Sequence, residues 1–153
     1  MLTCPGCGGE LESRPVERAR TVAGHAFTAS LPARVCRSCG EAFFDDAIVE
    51  RFDLAIAARL AEGGVDAPEA LKFLRKATGL QGRELAVLLD VRPETVSRWE
   101  QGKRPVDRAT FAIMRQLVWE RLHARTALAD YLASLRRPKR LPRRVKIDVG
   151  RAA

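Results

Sequence analysis

The chain has 153 residues, an apolar fraction of 46% and a formal net charge of +8, which suits one ordinary domain or two small ones with packed cores. It contains no run of about 18 uncharged apolar residues and does not open with a basic segment followed by an apolar stretch. Neither a membrane span nor a secretory leader is therefore expected, and a cytoplasmic location is. All four Cys fall within the first 40 residues, whereas both Trp and the single Tyr occur beyond Arg98, so two small separate cores are expected.

Residues 1–62 open with two knuckles, Cys4-Pro5-Gly6-Cys7-Gly8 and Cys36-Arg37-Ser38-Cys39-Gly40. In a reducing compartment, paired C-x-x-C motifs are more often metal sites than disulfides. Zinc takes four soft ligands in a tetrahedron, and two such turns supply two thiolates each. Cys4, Cys7, Cys36 and Cys39 are accordingly the expected ligands of one structural Zn2+ per chain. A glycine after the second Cys of each pair accepts positive φ, which turns backbone N–H groups toward the sulfurs. Four protein ligands leave no open position for water, which argues against catalysis at the metal. Two other readings of the same cysteines remain: a rubredoxin-like iron centre for electron transfer, and a thiol switch that loses zinc on oxidation.

Between the knuckles lie 28 residues, whose alternating stretches near 15–22 and 25–31, split by Gly24 and closed by Pro32, read as hairpin strands of a zinc ribbon. His25 reads as a strand or turn residue, since four Cys already complete a tetrahedron. Asp45 or Asp46 can cap a helix carrying Ile48, Val49, Phe52, Ile56 and Leu60 at helical spacing. Gly63 and Gly64 end it, and residues 63–68 read as a domain linker.

From there the pattern is helical. Pro68 suits the first turn of a helix carrying Leu71, Phe73 and Leu74 to Gly79, and a second helix spans about 81–89 with Leu85, Ala86 and Leu88 inward. After the turn Asp90-Val91-Arg92, Pro93 opens a third helix ending at Gly102. Asp107 can cap a long amphipathic segment through Ile113, Leu117, Leu122, Leu128 and Leu135, with a break near His123. Two short helices joined by a tight turn, with small Ala86 at their approach and Leu85, Val91, Val96 and Trp99 as shared core, satisfy the requirements of a helix-turn-helix. The third helix would then present Glu94, Thr95 and Arg98, with Arg92 at its edge. Arg98 is the candidate for a bidentate bond to guanine O6 and N7, and Thr95 and Ser97 can serve phosphate or base. Lys103 and Arg104, just past the helix, would meet the DNA backbone.

Residues 136–153 form a basic tail with eight Lys or Arg and a single acid, Asp148. Interrupted by Pro138 and Pro142, it reads as a flexible arm for a polyanion or as a solubilising end. No Ser/His pair, phosphate-binding glycine loop or open metal position is present, and His25 and His123 fall in different expected domains, so an enzyme is not expected.

Gly79-Leu80, Glu84-Leu85-Ala86, Val91, Ser97-Arg98-Trp99-Glu100 and Gly102 together resemble the XRE (Cro-C1-like) helix-turn-helix. A paired C-x-x-C ribbon followed by a linker and this unit resembles the MqsA (YgiT-type) antitoxins of type II toxin–antitoxin operons, over about residues 1–120. The resemblance implies an α+β chain with an N-terminal zinc domain that binds and inhibits a toxin ribonuclease. It also implies a helix-turn-helix and dimerisation domain over 69–135, acting as a homodimeric repressor on double-stranded, palindromic operator DNA. A stand-alone zinc-containing regulator is the alternative. Gly82 departs from the pattern, standing where such domains often carry a phosphate-gripping Gln, and Glu94 puts a carboxylate at a base-facing place.

Overall fold

The computed structural model describes residues 3–137, 140 and 142–145. Three antiparallel strands come first: β1 (Leu11–Val22), β2 (His25–Cys36) and the short β3 (Ala42–Phe43), in the order β1-β2-β3. Six helices follow: α1 (Asp46–Glu62), α2 (Pro68–Ala77), α3 (Gly82–Leu88), α4 (Pro93–Glu100), α5 (Arg108–Leu122) and α6 (Ala127–Leu135). The α+β layout matches the expectation from sequence. Among the described residues no helix is long and apolar enough to cross a membrane.

The hairpin is longer than the sequence suggests, because its strands run through Pro15 and Pro32 rather than stopping at them. Val22 pairs with His25 across a two-residue turn, and the register carries Pro15 opposite Pro32 and Leu11 opposite Cys36. Ala23 and Gly24 both have positive φ, 49° and 79°, the conformation that matches strand twist in a two-residue turn. Bonded and non-bonded pairs alternate from that turn, which puts the two prolines at a non-bonded pair where no N–H is required of either. Val16, Arg18, Arg20 and Val22 share the more buried face of β1 with Phe27, Ala29 and Leu31 of β2, while the intervening residues face solvent.

The expected pair of separate cores is not what forms. Buried side chains make one cluster from Val22 through Phe52, Leu60, Leu74, Leu85 and Trp99 to Val118. The reason lies in α1, which the sequence groups with the ribbon but which buries Ile56, Ala57, Leu60 and Ala61 and packs on α2 and α5. Asp45 caps it, accepting from the Ala47 N–H at 3.0 Å. At its other end the Gly64 and Val65 N–H groups donate to the Ala61 and Leu60 carbonyls, with Gly64 at φ 67°. That closure makes the start of the expected linker 63–68 a tight turn.

The same paired closure ends α2, α3, α4 and α5. Asp90 and Ala124 occupy its left-handed position after α3 and α5, at φ 53° and 52°. The break at His123 falls where the sequence places it. Of the basic stretch expected as a flexible arm, residues 138, 139, 141 and 146–153 lie outside the described residues.

Candidate metal centre and nucleic-acid interface

The two knuckles repeat one hydrogen-bond plan. In the first, the Cys4 N–H donates to the Gly9 carbonyl and the Gly8 N–H to the Cys4 carbonyl, both at 2.8 Å; in the second, the Cys36 N–H reaches Glu41 and the Gly40 N–H reaches Cys36, both at 2.9 Å. Gly8 and Gly40 sit at φ 72° and 75°, the curl expected from their positions. The turns stand face to face, since the Arg37 N–H donates to the Glu10 carbonyl at 3.0 Å.

This arrangement brings all four thiols together, their sulfurs lying within 4.8 Å of one another. Cys7 and Cys36 are 3.4 Å apart and Cys4 and Cys39 3.8 Å. A tetrahedron of sulfurs about 2.3 Å from a zinc ion has edges of about 3.8 Å, so the spacing fits such a cation. Cys4 and Cys36 are buried, while Cys7 and Cys39 are exposed.

The electrostatics agree with that fit. The backbone N–H of Cys39, then that of Ser38, brings the Cys36 thiol down to about 6. The N–H of Gly9 favours the Cys7 thiolate, but hydrogen bonding with Cys36 and Cys39 prevails and pushes Cys7 up to about 12. Against the N–H of Glu41, which favours its thiolate, Cys36 raises Cys39 as well. One thiolate thus forms readily and its neighbours are held back beside it, a conflict that a shared cation relieves. The four cysteines could hold a metal ion.

Gly9 belongs to this site and escaped the sequence reading. A Cβ on it would lie 2.9 Å from the Cys36 sulfur and 2.9 Å from Ser38 Cβ, so the facing knuckle occupies that space. The signal was the second glycine of Gly8-Gly9.

In the helical part, α3 and α4 pack across Leu85, Ala86, Val96 and Trp99, all buried, with Val91 half-buried in the turn. Besides Pro93, the residues that α4 and its N-cap expose are ones expected to face bases or phosphates: Arg92, Glu94, Ser97 and Arg98; Thr95 is half-buried. Ser97 is engaged within the helix, its Oγ accepting from Gln101 Nε2 at 2.9 Å. Lys103 and Arg104 are exposed, and their backbone N–H groups both donate to the Arg98 carbonyl, which fixes this basic turn at the C-terminal end of α4.

Two groups that orient these helices have no sequence signal. Arg75 of α2 grips Glu100 of α4, with Nε to Oε1 at 2.5 Å and Nη2 to Oε2 at 3.1 Å, and its Nη1 donates to the Leu80 carbonyl at 2.8 Å. Their side chains are only 11% and 13% exposed, and the partners are 25 residues apart. Glu120, buried in α5, accepts the Leu128 N–H with both carboxylate oxygens at 3.0 Å and so caps α6.

Residues 69–118 match the helix-turn-helix domain family, about a third of the chain, and no curated protein matches the chain. That match, with the exposed face of α4, makes residues 69–118 a helix-turn-helix domain of the DNA-binding kind. Joined to the four-cysteine cluster, it defines a DNA-binding regulator.

Proposed function

We propose that this protein is a transcriptional repressor of the type II antitoxin kind, binding a palindromic operator as a homodimer. The observation that carries the reading is α4, whose exposed face combines Arg92, Glu94, Ser97 and Arg98 while Val96 and Trp99 root it in the core. In a symmetric dimer, two such helices would enter successive major grooves about 34 Å apart. Arg98 would read a guanine, Thr95 and Glu94 neighbouring bases, and Lys103 and Arg104 would hold phosphates. One zinc ion would be held by Cys4, Cys7, Cys36 and Cys39, supplying a cross-link between the knuckles that fixes the base of the hairpin. The hairpin and α1 would then be free to bind a toxin ribonuclease. The reading assigns no catalytic role and places the protein in the cytoplasm.

The test is selection of binding sites from random duplex DNA, with native mass spectrometry of protein purified from its own host. An inverted repeat with half-sites one helical turn apart, two chains per duplex and one zinc per chain are the expected results. Absence of any sequence preference would refute the repressor reading. A zinc-bearing dimer without a small co-purifying protein would reduce it to a stand-alone regulator, and one iron per chain would overturn the zinc assignment.

A further inference from the structure

A groove of about 1140 Å³ runs between the inner face of β2, the first half of α1 and the ends of α2 and α5. No residue of α3 or α4 lines it, so the recognition surface leaves it unexplained. Leu31, Ile48, Phe73 and Ala77 form its apolar floor, all half-buried, and Leu122 stands at one end, 43% exposed.

The charges around that floor are unequal. Inside, Arg20 is neutralised by Asp53, with Nη1 at 2.6 Å from both carboxylate oxygens, and its guanidinium lies 4.8 Å from the centre of the Phe73 ring. Arg51, Lys76 and Arg121 remain along the rim, exposed and in no ion pair among the described residues. A single rim acid, Glu50, stands against them.

We propose that this groove docks an amphipathic helix of a partner protein whose polar face is acidic. Its volume exceeds the range of about 300–1,000 Å³ typical of small-molecule pockets. Walls made of side chains from three helices and a sheet face are the setting in which a helix lays down an apolar stripe. Three unpaired cations at the rim select the sign of the flanking charges and disfavour a basic partner. A nucleic acid fits less well, because an apolar floor offers phosphates nothing, its one ring, Phe73, already carries the Arg20 guanidinium, and the sugar–phosphate chain has no apolar stripe to cover it. Since the walls come from both the hairpin and the helix-turn-helix domain, an occupant would bridge them.

The probe is a labelled helical peptide of about 16 residues, Leu on one face and Glu on the other, compared with its Leu/Lys counterpart on the full-length protein. Fluorescence anisotropy should show the Glu peptide binding and the Lys peptide not. Arg51→Glu with Arg121→Glu should weaken the Glu peptide about tenfold or more and admit the Lys peptide, with random-sequence duplex binding and helicity kept. Amide shifts on the wild-type protein should fall on β2 and the first half of α1. Equal binding of the two peptides, indifference to the charge reversal, or shifts on α4 instead would overturn the proposal, the last meaning that the peptide merely mimics DNA. Duplex binding is read separately, so failure of the DNA-binding reading would leave this result standing on its own.

Discussion

Replacing Arg75 with Met would remove the group that ties α2 to the end of the recognition helix. What remains is the Glu100 carboxylate, 13% exposed, without its bidentate partner, and the Leu80 carbonyl without its donor. Breaking a buried ion pair on one side costs about 3–5 kcal/mol, and the residual exposure of both side chains reduces this to about 2–4 kcal/mol. In a chain of this size about 1 kcal/mol shifts Tm by about 2–4 °C, so a fall of about 5–15 °C is expected. Urea denaturation followed by Trp fluorescence reads it well, because buried Trp99 is adjacent to Glu100 in α4. Arg75→Met combined with Glu100→Leu should recover most of the loss, since an apolar pair leaves no unpaired charge. The reasoning fails if the single variant costs less than about 0.5 kcal/mol, the level of an exposed pair, or if the double variant is no more stable than the single.

Gly9→Ala should lower metal affinity about 10- to 100-fold, as loss of a ligand-orienting neighbour does, because the new methyl collides with the Cys36 sulfur; competition with a chromogenic chelator measures it. Arg98→Ala should lose about 1–3 kcal/mol of discrimination at one base pair, seen as a flattened position in the selected site. Deleting residues 136–153 should reduce the slope of log affinity against log salt by about 0.9 for each phosphate the segment contacts; an unchanged slope would make it a solubilising end. Asp107 caps α5, accepting from both the N–H and the hydroxyl of Thr110, and these bonds hold its carboxyl below the usual range. Its contribution is therefore full above the unfolded-state value of about 3.9 and is lost as pH falls through the lower folded value. Asp107→Ala should lower Tm at pH 7 by an amount that shrinks below about pH 4, and a gap that persists in acid would contradict the capping role.

What the sequence determined by itself is what depends on neighbours along the chain. Spacing within each knuckle, Gly24 in the hairpin turn, Asp45 and Asp107 at helix starts and the 3.6-residue periodicity from Pro68 onward are local signals, and local backbone geometry obeys them. The exposed face of α4 was legible for the same reason, since burying Val96 and Trp99 turns Glu94, Ser97 and Arg98 to the opposite side. Pro32 misled because a proline ends a strand only where its missing N–H is needed, and that is decided by register against Pro15 on the opposite strand. Only the tertiary structure decided where α1 belongs. Its apolar stripe fits either a ribbon core or a helical one, and the choice went to the helices because α2 and α5 cover Ile56, Ala57 and Leu60. Arg75 with Glu100 and the groove rimmed by Arg51, Lys76 and Arg121 were equally invisible in sequence, because each joins residues that only packing brings together.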